Sequence, residues 1–206
     1  MSFSQNNEED ILLTYFKNEV LTLLSIGEND GITLSNCFAL INNQWQALLV
    51  EPSKKAMYEL KKLHKGNDKI VFMQNAIADY NGKSIFYESG THLNKGDVSL
   101  LSSLSKDEIR RWNDTTEFFE TEVEVIDFKT MMYYSPYNKF QFINIDAEGF
   151  DLLILKQIDL KELDCKCICI EHNSNEQMLN EIINYCRSFW LNTELLRNAE
   201  NIIMAI

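Results

Sequence analysis

Basic residues, prolines and long apolar runs are all scarce in this sequence. Nineteen Lys and Arg face 31 Asp and Glu over 206 residues, a formal net charge of −12. A phosphate backbone is gripped through many cationic contacts, so a chain this acidic excludes a broad nucleic-acid footprint. No apolar stretch approaches the roughly 18 residues a membrane helix needs, so no membrane partner is expected. The opening MSFSQNNEED is acidic where a secretory leader would be basic, and no leader is expected. Five cysteines, an odd number, form no disulfide framework and point to reduced thiols in a cytoplasmic protein. In that compartment the Asn113-Asp114-Thr115 sequon carries no glycan. Two prolines and 45% apolar residues exclude a disordered chain.

What is present reads as one α/β domain over 20–206, preceded by a helical arm over 1–19 that covers a sheet edge. Strand-length apolar runs recur at 21–26, 47–50, 69–78, 140–145, 167–171, 190–196 and 201–206. Helical spacing fills 33–44, 53–65, 149–157 and 175–189 between them. Asn81-Gly82 is a hairpin signal leading into a strand over 84–87. This alternation predicts a doubly wound, mostly parallel sheet with helices on both faces and an antiparallel last strand. A Ser, Gly, Thr and Asn cluster over 88–105 is long for a connection and is a candidate lid or binding loop.

Ile26-Gly27-Glu28-Asn29-Asp30-Gly31 follows the first strand and opens a helix. Ligands of open α/β sheets bind at the carboxyl ends of the strands, where this turn lies. A dinucleotide requires glycine where Asn29 and Ile32 stand, and Glu28 and Asp30 would repel its phosphates. An NAD-linked oxidoreductase is therefore disfavoured. S-adenosylmethionine (SAM), a cation at its sulfonium and ammonium, gains from nearby carboxylates. Glu51 closes the second strand where an acid reaches ribose hydroxyls.

Five segments in order resemble the motifs of FkbM-type methyltransferases. They are Ile26-Gly27-Glu28-Asn29-Asp30-Gly31-Ile32-Thr33-Leu34-Ser35, Leu49-Val50-Glu51-Pro52, Asn75-Ala76-Ile77-Ala78-Asp79, Ser99-Leu100-Leu101-Ser102-Ser103-Leu104 and Ile143-Asn144-Ile145-Asp146-Ala147-Glu148-Gly149-Phe150-Asp151. The resemblance implies a Rossmann-like seven-stranded sheet, the class I SAM-dependent methyltransferase fold, and O-methylation of hydroxyls on sugars or secondary metabolites. It implies a cofactor site of Gly27, Glu28, Asn29, Asp30, Gly31, Glu51, Pro52, Asn75, Ala76, Ser102 and Asp146. The acid common in this family two residues before the glycine is Ser25 here.

A hydroxyl acceptor must lose its proton as the methyl bond forms, which calls for a base at the strand ends. Asp146 follows one strand, while Glu171 and His172 end the next. The expected roles are His172 or Asp146 as base and Glu171 as positioning group. Neighbouring strand residues point to opposite faces, so only one of Glu171 and His172 readily reaches a given pocket. The plain structural alternative has Asp146 and Glu148-Gly149 capping the following helix. Asp146, Glu171 and His172 are also potential ligands of a divalent cation, but three ligands from two strand ends are weak grounds and no metal is expected. Cys165, Cys167 and Cys169 alternate onto one strand face and read as core. Met131-Met132-Tyr133-Tyr134 reads as helix-end packing, and 105–114 as a solvated helix face. The expected partner is a neutral small-molecule or glycan acceptor, and a SAM-binding interaction module without catalysis is the alternative.

Overall fold

A computed structural model describes residues 3–17, 19–93 and 97–206. In chain order the elements are α1 (Glu8–Phe16), β1 (Thr22–Ile26), α2 (Phe38–Asn42), β2 (Gln46–Val50), α3 (Lys54–Leu63), β3 (Ile70–Met73), β4 (Ala76–Ala78), β5 (Gly82–Ser89) and α4 (Lys106–Trp112). There follow β6 (Phe118–Asp127), α5 (Phe128–Tyr134), β7 (Phe142–Ile145), α6 (Asp151–Leu155), β8 (Cys167–Glu171), α7 (Glu176–Ser188), β9 (Thr193–Arg197) and β10 (Asn201–Ala205). Side-chain oxygens start several helices. Ser53 Oγ accepts from Ala56 N at 3.2 Å, Asp127 from Thr130 N at 2.7 Å, and Asn175 from Met178 N at 3.0 Å.

Seven strands form one sheet in the order β3-β2-β1-β7-β8-β10-β9. All pairings are parallel except those of β10, which runs antiparallel to both β8 and β9. Every residue of β7 and β8 is buried, as expected of parallel strands covered on both faces. On one face Leu24, Leu48, Ile143 and Ile168 pack with Met131 of α5, Leu155 of α6 and Ile182 of α7. On the other, Leu23, Leu49, Phe142 and Cys167 pack with Leu12 of α1, Leu40 of α2 and Leu60 of α3. The chain order reverses between β1 and β7, the switch point where such sheets bind ligands.

The structure departs from the sequence reading in several places. The arm expected over 1–19 forms α1, which packs Leu12 and Phe16 on a sheet face and also meets the edge strand β9; residues 1, 2 and 18 lie outside the described residues. The helix expected over 33–44 shortens to α2, because Leu34 stands at φ 58° and the preceding turn is tied by side chains. The run 69–78 breaks after Met73: β3 stays in the main sheet while β4 joins a separate sheet of order β4-β6-β5. Asn81-Gly82 therefore closes no two-stranded hairpin. It carries the chain around the end of β6, where Asn81 Nδ2 donates to Asp127 Oδ2 at 2.9 Å and Asp127 N donates to Asn81 Oδ1 at 3.1 Å. β6 was not anticipated, since its alternating acids and exposed faces hide its core residues Val123 and Val125. Cys167 and Cys169 share one sheet face, whereas Cys165 precedes the strand and packs on the other. All five thiols are buried and free.

Phe142, fully buried in the central strand, has its ring 6.1 Å from that of Phe16. Phe142→Ala is expected to lower the unfolding free energy by about 3–5 kcal/mol in denaturant titration, with the fold retained.

Candidate active site

Four parallel strands finish level with one another. Ile26 is in register with Val50 on one side and Ile145 on the other, and Ile145 with Ile170. The next residues, Gly27, Glu51, Asp146 and Glu171, therefore emerge side by side at one edge. Gly27 N donates to Val50 O at 2.9 Å and Asp146 N to Ile26 O at 2.9 Å, which locks the alignment. A cavity of about 230 Å³ opens there, lined by Gly27, Glu28, Asn29, Glu51, Pro52, Asn75, Ala76, Ser102, Asp146 and Glu171 among others.

The glycine turn is dictated by crowding. Gly27 has φ 82°, and a Cβ on it would lie 1.7 Å from the carbonyl oxygen of Asp146. Asn29, also left-handed at φ 54°, donates its backbone N–H to Glu51 Oε2 at 2.9 Å and its side-chain amide to Val98 O at 2.9 Å. It clasps the second strand end to the serine-rich loop. Asp30 and Gly31 do not line the cavity. Asp30 accepts from the N–H groups of Ile32 and Thr33 at 2.9 and 2.7 Å and stabilises the turn, while Gly31 faces Leu60. Glu28 lines the wall and accepts from Ser35 Oγ at 2.7 Å. Ser25 is buried away from the cavity and accepts from Asn144 Nδ2 at 3.1 Å.

Glu51 accepts from Asn29 N and, at 2.7 Å, from Ser53 N, one bond to each carboxylate oxygen. Each oxygen keeps a second lone pair for a ligand. Burial raises its pKa from 4.5 to about 7, the two backbone bonds acting against the rise and Glu28 and Glu88 with it. Burial likewise raises Glu28 to about 7, opposed by Ser25, Ser35 and Cys37.

Around Asp146 the acids gather, and among the described residues no cation forms an ion pair with Asp146, Glu148 or Glu171. Asp151 takes the capping role: it accepts from Ala147 N at 2.7 Å and Gly149 N at 3.0 Å. Asp146 and Glu148 thus do not cap α6, and no described residue donates a hydrogen bond to either carboxylate. Glu148, at φ 46°, lines the cavity, and its carbonyl accepts from Ser103 Oγ at 2.5 Å. Carboxylate oxygens of Asp146, Glu148 and Glu171 lie within 4.8 Å of one another. Burial first, then mutual repulsion, pushes Glu148 and Glu171 well above the usual carboxylate range and raises Asp146. Strand alternation sends Glu171 into the cavity and His172 away from it. His172 is 3% exposed, and burial lowers its pKa. Placement therefore counts against His172 as the base.

The described part of the 88–105 loop folds back over the cavity through the Tyr87–Ser103 bridge, and residues 94–96 lie outside the described residues. Ser102 Oγ accepts from Ser89 N at 2.8 Å. The 105–114 segment is not only a solvated face, because Arg111 and Trp112 of α4 line the cavity. Arg111 pairs with Glu108 at 3.2 Å, and its guanidinium lies 4.9 Å from the Trp112 ring centroid. Nothing in the local pattern of a charged helix marks which of its turns faces inward. Tyr133 and Tyr134 are exposed and outside the cavity; only Met131 of that group is fully buried.

The model of the methyltransferase FkbM domain matches residues 25–189, spanning every strand end just described. The chain belongs to the FkbM methyltransferase family. Among curated proteins none matches significantly. Among solved structures, the delta-N METTL16 MTase domain superposes with a TM-score of 0.50 at 10% identity, covering 97% of this chain and 80% of that one. The ribosomal protein L11 methylase from Lactobacillus delbrueckii subsp. bulgaricus gives 0.51 at 12% identity, covering 96% and 75%. At that identity the likeness concerns the fold, which is the class I SAM-dependent methyltransferase fold. No helix among the described residues is long and apolar enough to cross a membrane.

Two outcomes are expected for this FkbM methyltransferase without ligand. Glu28 and Glu51 hold protons in the folded state at pH values where the unfolded chain has released them. Stability is then full below about pH 4.5 and declines as pH rises through about 7, by up to about 3 kcal/mol per carboxyl. Thermal melts from pH 5 to 8 check this, and Glu51→Gln is expected to flatten the decline. Gly27→Ala, which combines an unfavourable backbone angle with a clash, is expected to cost more than about 2 kcal/mol in denaturant unfolding.

Proposed function

We propose that this methyltransferase uses SAM and methylates a hydroxyl on a carbohydrate or glycosylated metabolite. One observation carries the reading: a single cavity joins Glu51, with spare acceptor capacity, to the unpaired carboxylates of Asp146, Glu148 and Glu171. When bound, SAM supplies a methyl group on a sulfonium, and its positive charge suits this acidic wall.

The residues fit it. Glu51 is placed to accept the ribose hydroxyls through its free lone pairs. Asn75 and Ala76, with Ile77 and Leu101 beside them, offer an apolar slot with one amide for the adenine. Gly27 and Asn29 border the methionine part, and Ser102 borders the cavity from the serine-rich loop. Asp146 takes the acceptor's proton and Glu171 orients the hydroxyl; burial raises both carboxyls and makes them stronger bases than an exposed acid. Three acids and one compensated arginine favour a neutral acceptor and disfavour phosphorylated or nucleic-acid substrates. Five free thiols suit a reducing compartment such as the cytoplasm.

Calorimetric titration with SAM, its demethylated product and NAD, followed by a screen of sugar acceptors reading the demethylated cofactor, tests the proposal. Glu51→Ala is expected to weaken SAM binding at least about tenfold. Asp146→Asn is expected to slow transfer by about 10²–10⁴-fold. NAD binding without any response to SAM would overturn the reading. SAM binding without methylated product from any glycan, unaltered in Asp146→Asn, would make the protein a binding module.

A further inference from the structure

Buried Glu148 and Glu171 and half-buried Asp146 gather at the strand ends with no partner among the described residues that accounts for it. Asp146, Glu148 and Glu171 come from two strand ends and the turn after β7, and each offers an oxygen within 4.8 Å of the others. Glu171 is 7% exposed, faces the cavity, and its Oε2 has no hydrogen-bond partner among the described residues. The N–H groups that could have served Asp146 and Glu148 are taken by Asp151. The cation beside them, Arg111, is engaged with Glu108 and, at 3.4 Å, with Asn173 Oδ1. An unpaired carboxylate in a buried site is unfavourable, and structures seldom leave one without a partner. Here two buried carboxylates and half-buried Asp146 share a volume whose width suits oxygens placed around a cation with bonds of about 2.1–2.6 Å.

We propose that Asp146, Glu148 and Glu171 bind a hard divalent cation of the magnesium or manganese kind. Three protein oxygens leave about three positions of an octahedral shell open. Two of these suit neighbouring hydroxyls of one acceptor, so the site selects a vicinal diol. Each carboxylate binds through one oxygen, and its second oxygen remains able to take the hydroxyl's proton. The diol assignment rests on both the cation site and the methyl-transfer reading, whereas the cation site rests on neither the diol nor that reading.

The test uses the whole chain, stripped with a chelator and free of SAM and acceptor. Manganese titrated by calorimetry is expected to bind saturably at one site and to raise the melting temperature, with magnesium competing. Glu148→Gln and Glu171→Gln each are expected to weaken binding at least about tenfold while the metal-free variants melt at or above wild type. Glu59→Gln, an exposed acid on α3, is expected to change nothing. Terbium in place of manganese gives a second readout: its emission excited through tryptophan is expected to fall in Trp112→Phe, whose ring lines the same cavity. Absence of saturable manganese binding to wild type, binding unchanged in both glutamine variants, or terbium emission indifferent to Trp112→Phe would overturn the site. Cation binding without transfer to any diol would keep the site and remove the acceptor; transfer without cation binding would keep the methyl-transfer reading and remove both the site and its diol selectivity.

Discussion

Carboxylates held out of water close to one another repel, and the alignment of four parallel strands forces that situation on this protein. Because Ile26, Val50, Ile145 and Ile170 of β1, β2, β7 and β8 lie in register, the residues that follow them, Gly27, Glu51, Asp146 and Glu171, reach the same small volume. Three of those four residues are acids, and the left-handed turn after β7 adds Glu148 beside them, with Glu28 on the same wall. Their pKa values rise as burial disfavours the charged form. A ligand that brings positive charge or hydroxyl donors would relieve this repulsion.

The surrounding structure tolerates the strain because it is anchored elsewhere. Two apolar layers, one on each face of the sheet, hold the strands in place. Hydrogen bonds then fix the loops, engaging Glu51 but not the carboxylates of Asp146, Glu148 and Glu171. Asn29 ties Glu51 to Val98, Ser103 holds the Glu148 carbonyl, and Asp151 satisfies the turn before α6. The walls are thereby tied together while no described residue donates to the Asp146, Glu148 or Glu171 carboxylates, an arrangement suited to aligning a methyl donor and acceptor.

Much of this was legible in the sequence for a physical reason. Strands buried on both faces are continuous apolar runs, so β1, β2, β7 and β8 and the residues closing them could be read directly. Other features depend on what meets in space. Whether Glu171 or His172 faces the pocket turns on strand parity, which no local pattern supplies. Asp30 looked like a ligand-facing acid, but it bonds its own turn, as Asp does readily. Glu148 sat inside the motif yet read as a cap, because Asp151 competing for the same N–H groups shows only in three dimensions. Arg111 and Trp112 lay in a segment whose charge suggested solvent, and β6 alternates too many acids to announce a core.

A crystal structure of the protein with the demethylated cofactor bears most directly on the claim that this strand edge is the cofactor and acceptor site. The expected result has the ribose hydroxyls on Glu51, the adenine beside Asn75 and Ala76, and the sulfur facing Asp146. A cofactor bound elsewhere on the chain, or in this cavity without contact to Glu51, would contradict the account.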